Sequence, residues 1–321
     1  MKKAAFSLFP LLFSLGIAGA DAQGYPSKPV RIISPFAPGG GNDALCRIIA
    51  QRLGENLKQQ IIVENRAGAN GIVGTEVAAR SAPDGYTIVL VPSGHAVNAS
   101  LYKKLPFDSI RDFSPITLAG SSPLVLAVHP SLPARNVKDL IALARARPEQ
   151  LTYVSAGIGA SGHLGGALFE TLTGTKMTHI PYKGQGQAIT DVVTGEIQFM
   201  FNSPSAVKSF IDAKRLRVLG ITSDKRSPQM PEVPTFAESG FKDLVTGSWY
   251  AVWLPAKTPD AIVSRLNAEI VRITKLPEVS KRIVELGGVP VANSPAEMDA
   301  FQKAEATRWA KVVKASGAKL D

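Results

Sequence analysis

Apolar residues recur along this chain in two alternating rhythms. Short apolar runs at 30–34, 61–64, 87–91, 124–128, 152–155, 197–201 and 216–222 have the length of buried strands. Between them lie stretches with apolar positions three and four apart, the spacing of one helix face. Over 44–57 these positions are Leu45, Ile48, Ile49, Leu53 and Leu57, and a second helix is predicted over 71–80. The turn Pro83-Asp84-Gly85 separates that helix from the third strand. A helical tail follows at 259–274, 277–286 and 295–316, each segment opening on a proline, which is tolerated where the first backbone N–H has no helical partner. The alternation predicts an α/β fold with parallel sheets, which bind ligands beyond the carboxyl ends of their strands.

Two longer extended stretches break the rhythm. One spans 114–128; the other spans 248–254, where Trp249, Tyr250 and Trp253 accompany a return strand. If both cross between lobes, the middle of the chain forms one lobe and the two ends form the other, as in a hinged binding protein. The competing reading is one continuous sheet with ordinary loops.

Candidate chemistry sits where strands give way to helices. Pro35-Phe36-Ala37-Pro38-Gly39-Gly40-Gly41-Asn42-Asp43 joins the first strand to the first helix. Its three glycines expose backbone N–H groups, and Asn42 or Asp43 is placed to cap the helix. A helix N-terminus carries about half a positive elementary charge and unpaired donors, which favour an anion. A second loop, Ser155-Ala156-Gly157-Ile158-Gly159-Ala160-Ser161-Gly162-His163, follows the strand at 152–155. Ser155, Ser161 and the loop N–H groups are read as donors to a carboxylate. Tyr182-Lys183-Gly184 enters a further loop-to-helix junction, with Lys183 as a loop cation. Ser93, His95 and Asn98 are expected to line the first lobe's side of a cleft, and Asn202 and Ser203 the second lobe's side. Two anion cradles on one chain predict a clamp that closes on a small acid.

Other chemistries fit poorly. Gly157-x-Gly159-x-x-Gly162 matches the dinucleotide fingerprint, yet the segment Met177-Thr178-His179-Ile180 lacks the acidic residue required about 20 positions on. The histidines His95, His129, His163 and His179 form no His-Glu-x-x-His pattern, and no Gly-x-Ser-x-Gly elbow raises a serine. Ser161 and His163 read as a helix cap and a loop donor, so no enzyme, cofactor or metal is expected. The formal net charge of +10 comes from scattered Lys and Arg without aromatic interleaving, which favours anionic solutes or a membrane surface over nucleic acid. Residues 1–22 read as a secretory signal, with Lys2 and Lys3, an apolar run and Ala20-Asp21-Ala22 at the cleavage site. Cys46, the single cysteine, sits on an apolar helix face and reads as a buried inert thiol.

Several runs in combination resemble the Bug-type solute-binding proteins of tripartite tricarboxylate transporters. They are Tyr25-Pro26, Gly39-Gly40 with Asp43, Val63-Glu64-Asn65-Arg66-Ala67-Gly68-Ala69-Asn70-Gly71, Pro83-Asp84-Gly85-Tyr86-Thr87, the loop from Gly157 to His163, Ile180-Pro181-Tyr182-Lys183-Gly184, and Pro234-Thr235-Phe236-Ala237-Glu238-Ser239-Gly240. The resemblance implies a monomeric periplasmic receptor with a two-lobed type II binding-protein fold and two hinge-crossing strands. It implies lobes at 23–122 with 250–321 and at 123–249, and delivery of a small carboxylate (a di- or tricarboxylate or an aromatic acid) to membrane permease subunits. Asn42 stands where the family often has Ser or Thr, so it is expected to alter which acid is preferred; Cys46 replaces a small residue. An acidic amino-acid receptor, a ligand-presenting sensory partner and, more distantly, a hydrolase are the alternatives.

Overall fold

Strand and helix alternate along a chain whose computed structural model describes residues 24–39, 41–182, 184–285 and 288–316. The expected signal at 1–22, Gly40 and Lys183 lie outside the described residues. The β-branched run of β1 (Val30–Ser34) leads into α1 (Gly41–Leu57), which turns Leu45, Cys46, Ile49 and Leu53 inward. Then follow β2 (Ile61–Asn65), α2 (Ile72–Ala79), β3 (Thr87–Pro92) and α3 (Gly94–Leu101). The helix α1 starts three residues earlier than the predicted 44, because Gly41, Asn42 and Asp43 form its first turn rather than its cap.

The crossing stretches are strands. The chain leaves the first sheet on β4 (Phe113–Pro123) and enters the second on β5 (Val125–Val128), with only Leu124 between them. The second lobe continues through α4 (Val137–Ala146), β6 (Thr152–Ser155), α5 (Ser161–Thr173), β7 (Thr178–Pro181), α6 (Gln185–Thr194), β8 (Phe199–Asn202), α7 (Pro204–Asp212) and β9 (Arg217–Ile221). The side chain of Asn136 caps α4 by accepting from the Asp139 amide at 2.9 Å. The chain returns on β10 (Gly247–Pro255) and ends in α8 (Asp260–Thr274), α9 (Pro277–Glu285), β11 (Val289–Pro290) and α10 (Pro295–Ser316).

Among the described residues two sheets result, one six-stranded in the order β11-β4-β10-β3-β1-β2 and one five-stranded in the order β7-β6-β8-β5-β9. The expectation of parallel sheets is corrected to mixed ones. The loop-bearing strands β1, β2 and β3 run parallel, as do β6, β7 and β8. By contrast, β10 is antiparallel to β3 and β4, and β5 to β8 and β9. Parallel neighbours need a crossover within one lobe, whereas a strand arriving from the other lobe has no such constraint.

Helices cover both faces of each sheet. On the first, α1, α8 and α9 bury Leu45, Ile49, Leu266 and Ile270 against Ile32, Ile88 and Val252. On its other face a core containing Val89, Trp253 and Trp309 continues without interruption into Leu124, Phe169, Phe201 and Phe236 of the second lobe. The helix α10 belongs to this continuity, packing against α3 and β4 and against α5. Its buried Glu305 accepts the indole N–H of Trp249 at 2.8 Å and of Trp309 at 3.0 Å, tying the helix to the returning strand. Beside it, Arg308 pairs with Glu305 and donates to the Val245 carbonyl.

Candidate functional site

Strand polarity turns the predicted loops of both sheets towards the crossing. Tyr250 on β10 lies opposite Pro92, the last residue of β3, and opposite Gly120 on β4. In the other sheet Val125, the first residue of β5, lies opposite Asn202, the last residue of β8. The carboxyl ends of β3 and β8 therefore both lie at the crossing, and parallel pairing turns β1, β2, β6 and β7 the same way.

The first loop is moulded by Asp43. From the third position of α1, its carboxylate reaches back to accept the Gly39 amide at 3.0 Å, and it also accepts from Asn65 Nδ2 at 2.9 Å and Arg47 Nε at 3.0 Å. Asn65 Nδ2 donates in turn to the Phe36 carbonyl at 3.0 Å, fixing the loop's entry. The Arg47 hydrogen bond, with those of Gly39 and Asn65, holds the Asp43 carboxyl down at about 2 against the opposing effect of burial. Gly39 takes φ +89°, a region closed to most side chains. Ala37 is exposed, and half-buried Phe36 packs at Gly71.

Asn42 behaves otherwise than expected. Its Nδ2 donates to Ser34 Oγ at 3.0 Å and to the Leu90 carbonyl at 3.1 Å, stapling α1 to β1 and β3 rather than facing a guest. Asn98 is buried, exchanging hydrogen bonds with Asn70 at 2.9 and 3.2 Å, and so supports the turn that precedes α2. Ser93, also buried, precedes the first turn of α3.

His95 is not a cleft residue. Its ring lies 4.2 Å from Trp253, 5.4 Å from Phe113 and 5.8 Å from Phe107, centroid to centroid, and Nε2 bonds the Ser109 carbonyl at 2.9 Å. Burial in this aromatic box pushes its pKa down to about 4, against the opposing pull of the Ser109 carbonyl. The polar segment after β3 is thus a short helix whose inward face joins the core.

In the second lobe, Ser155, Ala156, Ala160, Ser161, Gly162, Gln185 and Asn202 surround a void of about 20 Å³, closed behind by Val154, Ala188, Met200 and Phe201. That is room for one water. The void lies where the N-termini of α5 and α6 meet the end of β8. A Cβ on Gly162 would meet the Phe201 carbonyl oxygen at 2.5 Å, so glycine lets the start of α5 press against β8.

The expectation that Ser155 and the loop N–H groups donate to a carboxylate is corrected here for Ser155, Gly157, Gly159 and Ala160. The Gly157 amide donates to Ser155 Oγ at 3.2 Å, the Gly159 amide to His163 Nδ1 at 3.1 Å, and the Ala160 amide to the Gly157 carbonyl at 3.2 Å. Ser155 Oγ also lies 2.8 Å from His179 Nε2 and 2.9 Å from the Gly157 carbonyl, so this hydroxyl shapes the loop instead of waiting for a ligand. The first-turn amides of α5, at Ser161, Gly162 and His163, have no acceptor within the helix and remain available to an anion. His163 is buried against His179 and is a loop brace. The Asn202 Oδ1 accepts the Ser203 amide at 2.8 Å. The Tyr182 hydroxyl donates to Asp191, and Gly184 is the N-cap of α6 at φ +144°.

Three residues near these loops escaped sequence reasoning as site candidates. The Tyr250 hydroxyl stands 2.9 Å from where a Gly41 Cβ would lie, placing a phenol over the first turn of α1. Burial raises its pKa, so it is a neutral donor. Gln185 joins the void, and His179 reaches Ser155 from the neighbouring strand. Nothing in the local sequence marks Tyr250 or His179, because each is brought in by strand pairing, whereas Gln185 opens α6 directly after the predicted Tyr182-Lys183-Gly184 junction. Among the described residues, no group of three or more His, Cys, Asp or Glu is placed to hold a metal ion, and no helix is long and apolar enough to cross a membrane.

The chain is similar over most of its length to known proteins. Residues 45–318 match the tripartite tricarboxylate transporter family receptor, TctC. Protein BugT of Bordetella pertussis is 38% identical over 308 residues, covering 95% of this chain and 94% of that one. An R. palustris protein solved with adipate is 36% identical with a TM-score of 0.75, covering 92% of this chain and all of that one. MatC from Rhodopseudomonas palustris, solved with bound malate, is 27% identical with a TM-score of 0.71, covering 90% of this chain and 100% of the other. The chain belongs to the tripartite tricarboxylate transporter receptor family, as a two-lobed solute-binding protein of the Bug type.

Proposed function

We propose that this protein is a periplasmic receptor that captures a small carboxylate between its lobes and delivers it to the membrane subunits of a tripartite tricarboxylate transporter. The observation that supports this reading is strand polarity: the parallel strands of both sheets point their carboxyl ends, and so the N-termini of α1 and α5 that follow β1 and β6, towards the crossing between the sheets. Each presents partial positive charge and first-turn donors to the same gap, which suits a guest with an acid group at each end or one acid on a compact ring. Charge-assisted bonds contribute about 1.5–3 kcal/mol apiece, so four or five suffice for micromolar affinity after the cost of association. Relatives solved with adipate and malate support the substrate class. A guest that touches both lobes favours the closed form, because only differential contact shifts such an equilibrium.

The proposed seat comprises the loop from Phe36 to Asp43 with the Tyr250 hydroxyl, and the loop from Ala156 to Ser161 with Gln185 and Asn202. An acidic amino acid fits less well, since the Asp43 carboxylate that would meet its ammonium is held by Gly39, Arg47 and Asn65. A melting screen tests the proposal. A carboxylate at 100 times its dissociation constant adds about 2.7 kcal/mol of stability. A neutral sugar that raises the melting point, with every carboxylate inert, refutes it. Mass spectrometry of small molecules released from freshly purified protein identifies the guest.

A further inference from the structure

His179 lies outside the proposed seat, on the edge strand β7, yet it governs the shape of the second loop. Strand pairing sets it beside Tyr153, whose ring is 4.9 Å away, and its Nε2 reaches Ser155 Oγ at 2.8 Å. Its ring also stacks on His163, with centroids 4.1 Å apart and planes at 21°. His163 in turn accepts the Gly159 amide on Nδ1 at 3.1 Å. Two backbone amides thus depend on this pair: Gly157 through the Ser155 hydroxyl, and Gly159 through His163.

We infer that His179 is a positioning residue for the ligand loop: packed on His163 and bonded to Ser155, it holds Gly157 and Gly159 so that the first turn of α5 faces the guest. This rests on the carboxylate-receptor reading for its functional consequence, though not for its structural one. Both rings must be neutral to act in this way. A proton on His163 Nδ1 would set two donors against each other, and two charged rings in a stack repel. Desolvation keeps His163 at about 4, and desolvation with the neighbouring His163 keeps His179 at about 3. Of the ionisable groups on the neighbouring elements, Tyr153 on β6 lies against His179, Glu170 on α5 bonds Tyr153, and Tyr182 after β7 bonds Asp191. Glu170 accepts the Met177 amide, and Asp191 accepts the Tyr182 hydroxyl, so both carboxylates are engaged elsewhere.

Amide hydrogen exchange at Gly157 and Gly159 in the ligand-free protein, followed by NMR, tests the inference. His179→Leu should lose at least about tenfold protection at both amides at pH 7, the measure of one good hydrogen bond. His179→Gln, whose amide can still bond Ser155, should retain it. In the wild type that protection should fall as pH drops towards 4, in step with the ring signals of His163 and His179, and His179→Gln should shift that profile. Calorimetry with malate and adipate at pH 7 supplies the functional arm, with about tenfold weaker binding in His179→Leu and rescue in His179→Gln. Full protection in a folded His179→Leu, or equal affinity in both variants, overturns the inference. If neither acid binds the wild type, the receptor reading with these ligands fails, and the exchange data alone still decide the role of His179.

Discussion

Replacing Asp43 with asparagine tests whether this one carboxylate moulds the first loop. The side chain is 5% exposed and accepts from Gly39, Asn65 and Arg47 at 2.9–3.0 Å. An amide of the same shape keeps one acceptor and turns a donor towards partners that are themselves donors. The Arg47 bond is worth little, because that side chain is 55% exposed and its pairing is screened by water. Losing the Gly39 bond, taken as a hydrogen bond to a charged group, costs about 1.5–3 kcal/mol, and weakening the Asn65 bond adds to that. Urea denaturation at pH 7 measures this, with Arg47→Ala as a control that should cost less than about 1 kcal/mol. The pH dependence supplies an independent check. The Asp43 pKa is depressed from 3.8 to about 2, so its stabilisation is present above the higher value and is lost as pH falls through the lower one. The gap between wild type and Asp43→Asn should therefore narrow across that window. A variant within about 0.5 kcal/mol of wild type at pH 7, or a gap that stays constant down to pH 2, refutes the assignment.

Two further outcomes follow from close packing and from the hinge. Gly162→Ala forces a Cβ to within 2.5 Å of the Phe201 carbonyl, so it should destabilise by about 1–3 kcal/mol and weaken carboxylate binding. Gly186→Ala, in the first turn of α6 with open space around it, should be neutral or stabilising by up to about 1 kcal/mol in the same melting assay; equal effects from the two would discredit the packing argument. Glu305→Gln removes the buried carboxylate that joins Trp249, Trp309 and Arg308, with an expected loss of about 1–3 kcal/mol and a shift in tryptophan emission. An unchanged denaturation midpoint with unshifted emission would show that α10 does not secure the returning strand through this residue.

Local sequence carried a large part of the architecture. Apolar runs mark β1 and β6 with the observed ends, and a proline start with helical spacing marks α10 over Pro295–Ser316. Such elements are legible because their own residues make the pattern. The edge strand β7 is half polar and exposed at Thr178 and Pro181, so it left no alternation to read. The helix α3 was hidden because its inward residues include His95 and Asn98, polar groups accepted into the interior only because Ser109, Asn70 and an aromatic cage wait for them.

The glycine-rich loops and their place before helices were written in the chain, since φ +89° at Gly39 and +147° at Gly157 demand residues without a Cβ. Which groups in those loops remain open to an anion was not. Asn42 turned into the sheet, Ser155 was taken by His179, and Tyr250 arrived over α1 from more than 200 positions away. A backbone conformation is a local property and leaves its mark in neighbouring residue types. Hydrogen-bond partnership is settled by strands meeting across the fold, and no short window of sequence records who will be nearby.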